Sequence, residues 1–345
     1  ANVMVTKMVT VPTPEFDRWV GDNKHSLPTV ATTDISTTRF DVIDDASWLT
    51  HLESEGFVVL RECANAAQVD QARSLIWESL ERTTPARRDD IASWHEWRLD
   101  KRGFSMHGSV TQGEGAWMIR SLPHVKEAFA KIWKQPDLIC SMDLVLIWKP
   151  WWRGGPESKK WLPRTEGLHL DQNPLRKQGF ACVQGMLPLY DVTDATGGLE
   201  VVPRSHRPEA KELLISRCGG GDNMRALGDF VKIPPACQSL GDSVLLTAEA
   251  GDLILWDSRT VHGGKVGDGE RAGGVEELMP QLARLSLPIC MTPRAMASED
   301  VLRARRKMFS EGKTTNHWPH EPRIQNQVSL GYSPIQLSPP QEELL

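Results

Sequence analysis

The chain has 345 residues, with 40 Lys+Arg against 45 Asp+Glu and a formal charge of −5. That balance excludes nucleic acid as the main partner, because phosphate binding wants a basic surplus. With 40% hydrophobic and 25% charged residues, it reads as a globular chain with a sizeable core rather than a disordered or membrane one. Apolar runs such as residues 56–60 fall far short of a bilayer span, and residues 1–12 lack the unbroken apolar stretch of a secretory signal. Cys63, Cys140, Cys182, Cys218, Cys237 and Cys290 are scattered with no C-x-x-C pair. Dispersed thiols point to a reducing, cytoplasmic setting and no zinc knuckle.

Residues 1–45 are polar and irregular and read as an N-terminal arm. A short helix over residues 45–56 is expected, capped by Ser47 and ended by Gly56, followed by a strand at 57–60. Residues 65–82 place Val69, Ala72, Leu75, Ile76 and Leu80 on one helical stripe, and Pro123 opens another helix running to Trp133. From about residue 139 the pattern turns to short strands separated by Gly, Pro and Asp turns: 138–140, 144–149, 181–189, 199–202, 243–247, 252–256 and 283–287. That pattern predicts an antiparallel barrel or jelly roll within one domain spanning residues 46–297. Two long interruptions, residues 204–241 with Gly219-Gly-Gly221 and residues 263–282, read as loops or lids. Residues 298–345 read as a basic amphipathic helix and an irregular tail packed on the same domain.

Inward-facing side chains recur at every second position of a barrel strand, so a histidine and a carboxylate two apart share one cavity. His51 and Glu53 have that spacing but lie in a helical pattern, where such positions diverge. His169 and Asp171 open the β-rich half, where they can converge. Downstream, a Gly251-Asp turn feeds an apolar strand, a break and then His262. Two histidines and one carboxylate form a face that leaves adjacent coordination positions open and suits non-haem Fe(II).

His169-x-Asp171, the phrase from Pro188 to His206 containing Gly-Leu-Glu-Val-Val-Pro-Arg-Ser-His, and Gly251-Asp to His262 together resemble the phytanoyl-CoA dioxygenase family. The resemblance covers roughly residues 50–295. It implies a mostly β fold with flanking helices, the double-stranded β-helix of cupin-like jelly rolls. It further implies an Fe(II)- and 2-oxoglutarate-dependent oxygenase using O2 on a small-molecule substrate and releasing succinate and CO2. His206 is then a structural strand-end residue.

The chain departs from the family pattern in places. Arg204 stands where Gly is usual, Met186 where some relatives carry an aromatic residue, and Gly264 where a hydroxyl residue is frequent. Gln184 shares the face of Met186 and is expected near the co-substrate. The arginine that holds the far carboxylate is either Arg271, nine residues past His262 at the family's usual distance, or Arg284, 22 residues past it. Arg271 lies in a Gly-rich polar segment, whereas Arg284 opens an apolar strand that fixes a fork in a low-dielectric wall; Arg284 is therefore the choice. Trp151, Trp152 and Trp161, with Arg153, Lys159, Lys160 and Arg164, form an aromatic and basic run before His169. The expectation is that Trp152, Trp161, Arg164 and Arg204 meet an anionic substrate. The rivals are a cupin-like metal protein without oxygenase activity, acting as a sensor or isomerase, and a structural jelly-roll module. The sequence does not give an oligomeric state.

Overall fold

The computed structural model describes residues 38–153, 156–234, 240–269, 281–326 and 329–345. Thirteen strands among these form two sheets. The larger contains β1 (Arg39–Asp41), β2 (Phe57–Arg61), β3 (Phe104–Ser105), β4 (Leu138–Cys140), β5 (Val145–Trp148), β7 (Val183–Pro188), β11 (Leu253–Asp257) and β13 (Arg284–Pro293). The smaller contains β6 (His169–Leu170), β8 (Gly197–Val201), β9 (Val231–Lys232), β10 (Val244–Leu245) and β12 (His262–Val266). The larger sheet runs β1-β2-β11-β7-β13-β5-β3 with β4 added to β13, and the smaller runs β10-β8-β12-β6-β9. Among the described strands only β1, on β2, pairs in parallel. The fold is a double-stranded β-helix with helices on its outer face.

Strand alternation decides which side chains face the cavity. Val58, Leu60, Val145, Ile147, Val183, Leu187, Leu253, Leu255, Leu285, Leu287 and Ile289 join one buried cluster with the helices. Those helices are α1 (Asp45–Glu55), α2 (Ala66–Thr83), α4 (Glu114–Arg120) and α5 (Pro123–Trp133), with the single turn α3 (Gly108–Thr111) between them. The alternate residues Phe57, Val59, Leu146, Met186, Ile254 and Trp256 pack between the sheets against Leu199 and Val201 of β8. The same alternation points Gln184, Arg284 and Ser286 inward.

The predicted helices are present, with local corrections. Asp44, not Ser47, caps α1, accepting a hydrogen bond from the Ser47 amide. Gly56 ends α1 at φ 85°, where a Cβ would lie 2.4 Å from the His206 ring. Asn65 and Gln68 form a reciprocal capping box at the start of α2. Residues 204–241 are not one long loop: they contain α6 (Pro208–Arg217) and α7 (Gly220–Ala226). Their weak pattern has a physical cause, since α6 buries only Lys211 and Leu214 and α7 only Met224. Leu214 and Met224 cover the outer face of the smaller sheet at Leu170 and Val231.

The supposed arm contributes β1, tied down where Arg39 grips both carboxylate oxygens of Asp252. Residues 1–37 lie outside the described residues, as does Arg271. Helix α8 (Glu299–Ser310) precedes the tail, which ends in α9 (Pro339–Leu344). Arg305 of α8, fully buried, donates to the carbonyls of Cys140, Pro319, Leu344 and Leu345, binding the tail to β4. Among the described residues no helix is long and apolar enough to cross a membrane, and no disulfide joins the five described cysteines.

Lys149, just after β5, is buried with no acid paired to it among the described residues. Its ammonium donates to the carbonyls of Trp94 and Trp97 and lies over the rings of Trp97 and Trp161. Burial lowers its pKa from 10.5 to about 8. Between those values the unfolded chain holds the proton and the folded chain does not, so raising the pH favours folding. Denaturant titrations should show the parent gaining stability relative to Lys149→Met as the pH rises from 8 to 10.5. A constant difference between the two would mean that the ammonium stays charged in its cage.

Candidate metal centre

His169 opens β6 and His262 opens β12, and the two are direct partners across the antiparallel ladder. Direct partners project to the same face, and the two ring centroids lie 4.4 Å apart. Asp171 follows β6 two residues after His169. One ligating atom from each of His169, Asp171 and His262 falls within 4.8 Å of the others. The His51–Glu53 pair does not join them: His51 packs between Phe40 and Phe57.

Hydrogen bonds fix the tautomers. His169 Nδ1 lies 2.8 Å from the Gly167 carbonyl and His262 Nδ1 lies 2.9 Å from the Thr260 carbonyl. A carbonyl only accepts, so each Nδ1 carries the proton and each Nε2 presents a lone pair. His262 Nε2 is then 3.2 Å from Asp171 Oδ2, and His169 Nε2 is 3.8 Å from Oδ1. Two ring nitrogens and a carboxylate converging at these distances can share one cation as ligands. The donor set therefore fits a metal ion of the Fe(II) type.

The electrostatics agree. Burial, reinforced by His262, lowers His169 from 6.5 to about 4, so its imidazole is neutral at physiological pH. Burial opposes ionisation of Asp171, but His317, His169 and His262 together hold its pKa well below the usual carboxylate range.

The loop motif upstream of β12 sets the geometry without supplying a ligand. Ser205 Oγ donates to the Val202 carbonyl and accepts from the Val261 amide at 2.7 Å, pinning the chain as it enters His262. His206 Nε2 donates to the Glu53 carbonyl at the end of α1, a structural contact. Gly264 has no room for the hydroxyl residue frequent in the family, because a Cβ there would lie 2.9 Å from Thr165 Cγ2.

The floor of the cavity is β7. Gln184 Nε2 donates to Asp171 Oδ2 at 3.0 Å, so its first contact is the carboxylate of the metal set. Met186, on the same face, meets Arg284 Nη2 through its sulfur at 2.8 Å. Two strand positions span ~7 Å, so β7 links Asp171 to the guanidinium over about the length of a five-carbon dicarboxylate. Arg284 is 5% exposed, lies over the Trp148 ring at 4.7 Å and meets Ser286 Oγ at 3.4 Å. Among the described residues no carboxylate pairs with it. Burial lowers its pKa to about 10, leaving a cation with no counterion among the described residues. That vacancy of charge fits the far carboxylate of 2-oxoglutarate.

The other expected contacts go elsewhere. Arg204, at φ 63°, pairs with both carboxylate oxygens of Glu55 at the end of α1. Trp161 packs on Trp94, His95 and Lys149. Trp152 stacks edge-on against Trp151, and Arg164 meets Lys101 through its backbone amide. The contacts described for these four residues do not reach the metal set.

Sequence reasoning missed His317. The tail carries it in beside the set, with Nδ1 4.0 Å from Asp171 Oδ2 and a buried Nε2 that has no hydrogen-bond partner among the described residues. A histidine in a Pro-rich tail, 146 residues after Asp171 and in no motif with it, carries no spacing signal.

The chain is 27% identical over 299 residues to the Ava biosynthesis cluster protein O of Aspergillus versicolor, covering 79% of this chain and 86% of that protein. Among solved structures it resembles the epimerase SnoN, determined with Fe3+, alpha-ketoglutarate and nogalamycin RO, at TM-score 0.49 and 15% identity, over 73% of this chain and 85% of that one. It also resembles the carbocyclase SnoK from nogalamycin biosynthesis, at TM-score 0.45 and 14% identity, over 74% and 87%. Superpositions this distant do not bear on the reaction. The model of the phytanoyl-CoA dioxygenase family matches residues 52–271, well over half of the chain. The chain belongs to that family, whose enzymes work with Fe(II) and 2-oxoglutarate.

Proposed function

We propose that this protein is an Fe(II)/2-oxoglutarate-dependent oxygenase that removes hydrogen from a small anionic metabolite, ending in hydroxylation, desaturation or oxidative cyclisation. His169, Asp171 and His262 hold the metal in this reading, and Arg284 holds the far carboxylate of 2-oxoglutarate. The observation that carries it is the buried, unpaired Arg284 guanidinium, joined to the His/Asp/His set by the floor Gln184–Met186. A metal-binding sensor or isomerase that does not use a dicarboxylate has no need of that cation. The Aspergillus versicolor relative is named for a biosynthesis cluster, which supports a metabolite as substrate.

When bound, iron and 2-oxoglutarate would supply oxidative chemistry with O2 that releases succinate and CO2 and removes hydrogen from the substrate. The chain's own residues do the positioning. The carbonyls of Gly167 and Thr260 hold the two imidazoles with Nε2 free to ligate. Gln184 restrains the Asp171 carboxylate, and Trp148 and Met186 wall the guanidinium from water. A carboxylate arriving there forms a charge-assisted pair in a low-dielectric wall, where such pairs are strong.

Two substitutions test these roles. Arg284→Ala should raise the 2-oxoglutarate concentration needed for succinate release at least ~100-fold, as expected for loss of a buried charged partner. Arg284→Lys should restore only part of it, because an ammonium cannot make the bidentate pair. Unchanged 2-oxoglutarate dependence in both variants would move the clamp to another cation, with Arg271 the first to try. Gln184→Leu should weaken Mn(II) binding, measured by calorimetry, by roughly 10-fold, the usual effect of removing a group that orients a ligand. Parent-like affinity would reduce Gln184 to a packing residue.

A further inference from the structure

Strand β9 is the edge of the smaller sheet and lies beside β6, with Lys232 directly opposite His169 and Val231 opposite Leu170. Leu170 and Val231 sit in the buried outer cluster with Leu214 and Met224. Lys232 therefore lies on the other face, the face from which His169 meets His262 and Asp171. Phe230, two residues earlier, shares that side, its ring centroid 4.9 Å from the His169 ring at an interplanar angle of 34°. Phe230 is 46% exposed and Lys232 is exposed.

Neither residue is explained by packing. A large aromatic ring half open to solvent against a partly buried histidine gives up apolar contact it could have had. Lys232 makes no ion pair or side-chain hydrogen bond among the described residues. The nearby acid is already engaged, since Asp229 faces Arg323 at 3.3 Å and Arg176 at 3.9 Å. Those two pairs anchor the chain just before Phe230, so the ring and the ammonium are held at the site by a fixed strand.

We propose that Phe230 and Lys232 form the wall that recognises the substrate, and that the substrate is a flat aromatic or conjugated molecule carrying an anionic oxygen. The flat part lies on the open face of Phe230 and the anion meets Lys232, which sets the molecule across the mouth of the metal centre beside His169. This rests on the oxygenase reading and gives its substrate a chemical class. It also moves the anion contact from Trp152, Trp161, Arg164 and Arg204 to a residue of β9. The aromatic stack fixes the plane of the ligand, and the single cation fixes which edge faces inward.

The test uses the full-length protein loaded with Mn(II), or with Zn(II) as diamagnetic reference, and saturated with 2-oxoglutarate so that Arg284 is filled. The probes are 2-naphthoate and its neutral isostere 2-naphthamide, observed by proton NMR. Mn(II) should broaden the signals of bound naphthoate, placing it beside the ion. Naphthoate should bind about fivefold tighter than naphthamide, the factor given by one partly exposed ion pair. Lys232→Gln should erase that preference while leaving naphthamide binding unchanged. Phe230→Ala should weaken both probes about fivefold. Lys307→Gln, exposed and on α8, should change neither. A preference for naphthoate that survives Lys232→Gln, or probes that bind without Mn(II) broadening or not at all, would overturn the wall while leaving the oxygenase reading in place. If Mn(II) and 2-oxoglutarate themselves fail to bind, the oxygenase reading falls first and the wall with it.

Discussion

A guanidinium buried in a protein interior is costly unless a charge answers it, and Arg284 has no carboxylate partner among the described residues. Its surroundings make the arrangement tolerable but leave it incomplete: an aromatic face, a thioether and one long hydroxyl contact. A few residues away, two imidazoles point lone pairs at an ionised carboxylate. One end of the cavity is short of negative charge and the other is short of positive charge. A divalent metal and a dicarboxylate resolve both together. The rest of the fold can be understood as the scaffold that keeps these two imbalances at a fixed separation.

That separation comes from strand alternation. On β7, Val183 and Leu187 face the helices, so Gln184 and Met186 must face the cavity. On β13, Leu285, Leu287 and Ile289 pack against the helices, so Arg284 and Ser286 must point inward. A slip of one residue in the β7–β13 register would turn the guanidinium into the helix layer and break the core as well. Stability and site geometry are therefore set by the same pairing. The smaller sheet does the equivalent for the histidines, since β6 and β12 are direct partners at His169 and His262.

Much of this was legible in the residues. Short apolar runs bounded by Gly, Pro and Asp turns located β2, β5, β7, β11 and β13, and His-x-Asp with the distal histidine picked out the set that the fold brings together. The choice of Arg284 followed from the contrast between an apolar strand and a Gly-rich segment, and its side chain is buried and faces inward. What escaped has physical reasons. Helices α6 and α7 bury too few apolar residues to show a stripe. Arg204 looked like a pocket cation because its partner Glu55 is 149 positions away and invisible to local pattern. The tryptophan-rich run looked like a pocket wall, whereas much of it cages the Lys149 ammonium. Phe230, Lys232 and His317 reach the site through a two-residue edge strand and a tail with no motif, so only the fold could bring them together.

The most direct measurement is a crystal structure of the protein grown anaerobically with Fe(II) and 2-oxoglutarate, with the metal located by anomalous scattering. The account predicts one ion bound by His169 Nε2, His262 Nε2 and Asp171, and one carboxylate of 2-oxoglutarate on the Arg284 guanidinium. An ion held by other residues, or a 2-oxoglutarate carboxylate paired with a different cation while Arg284 stays alone, would contradict it.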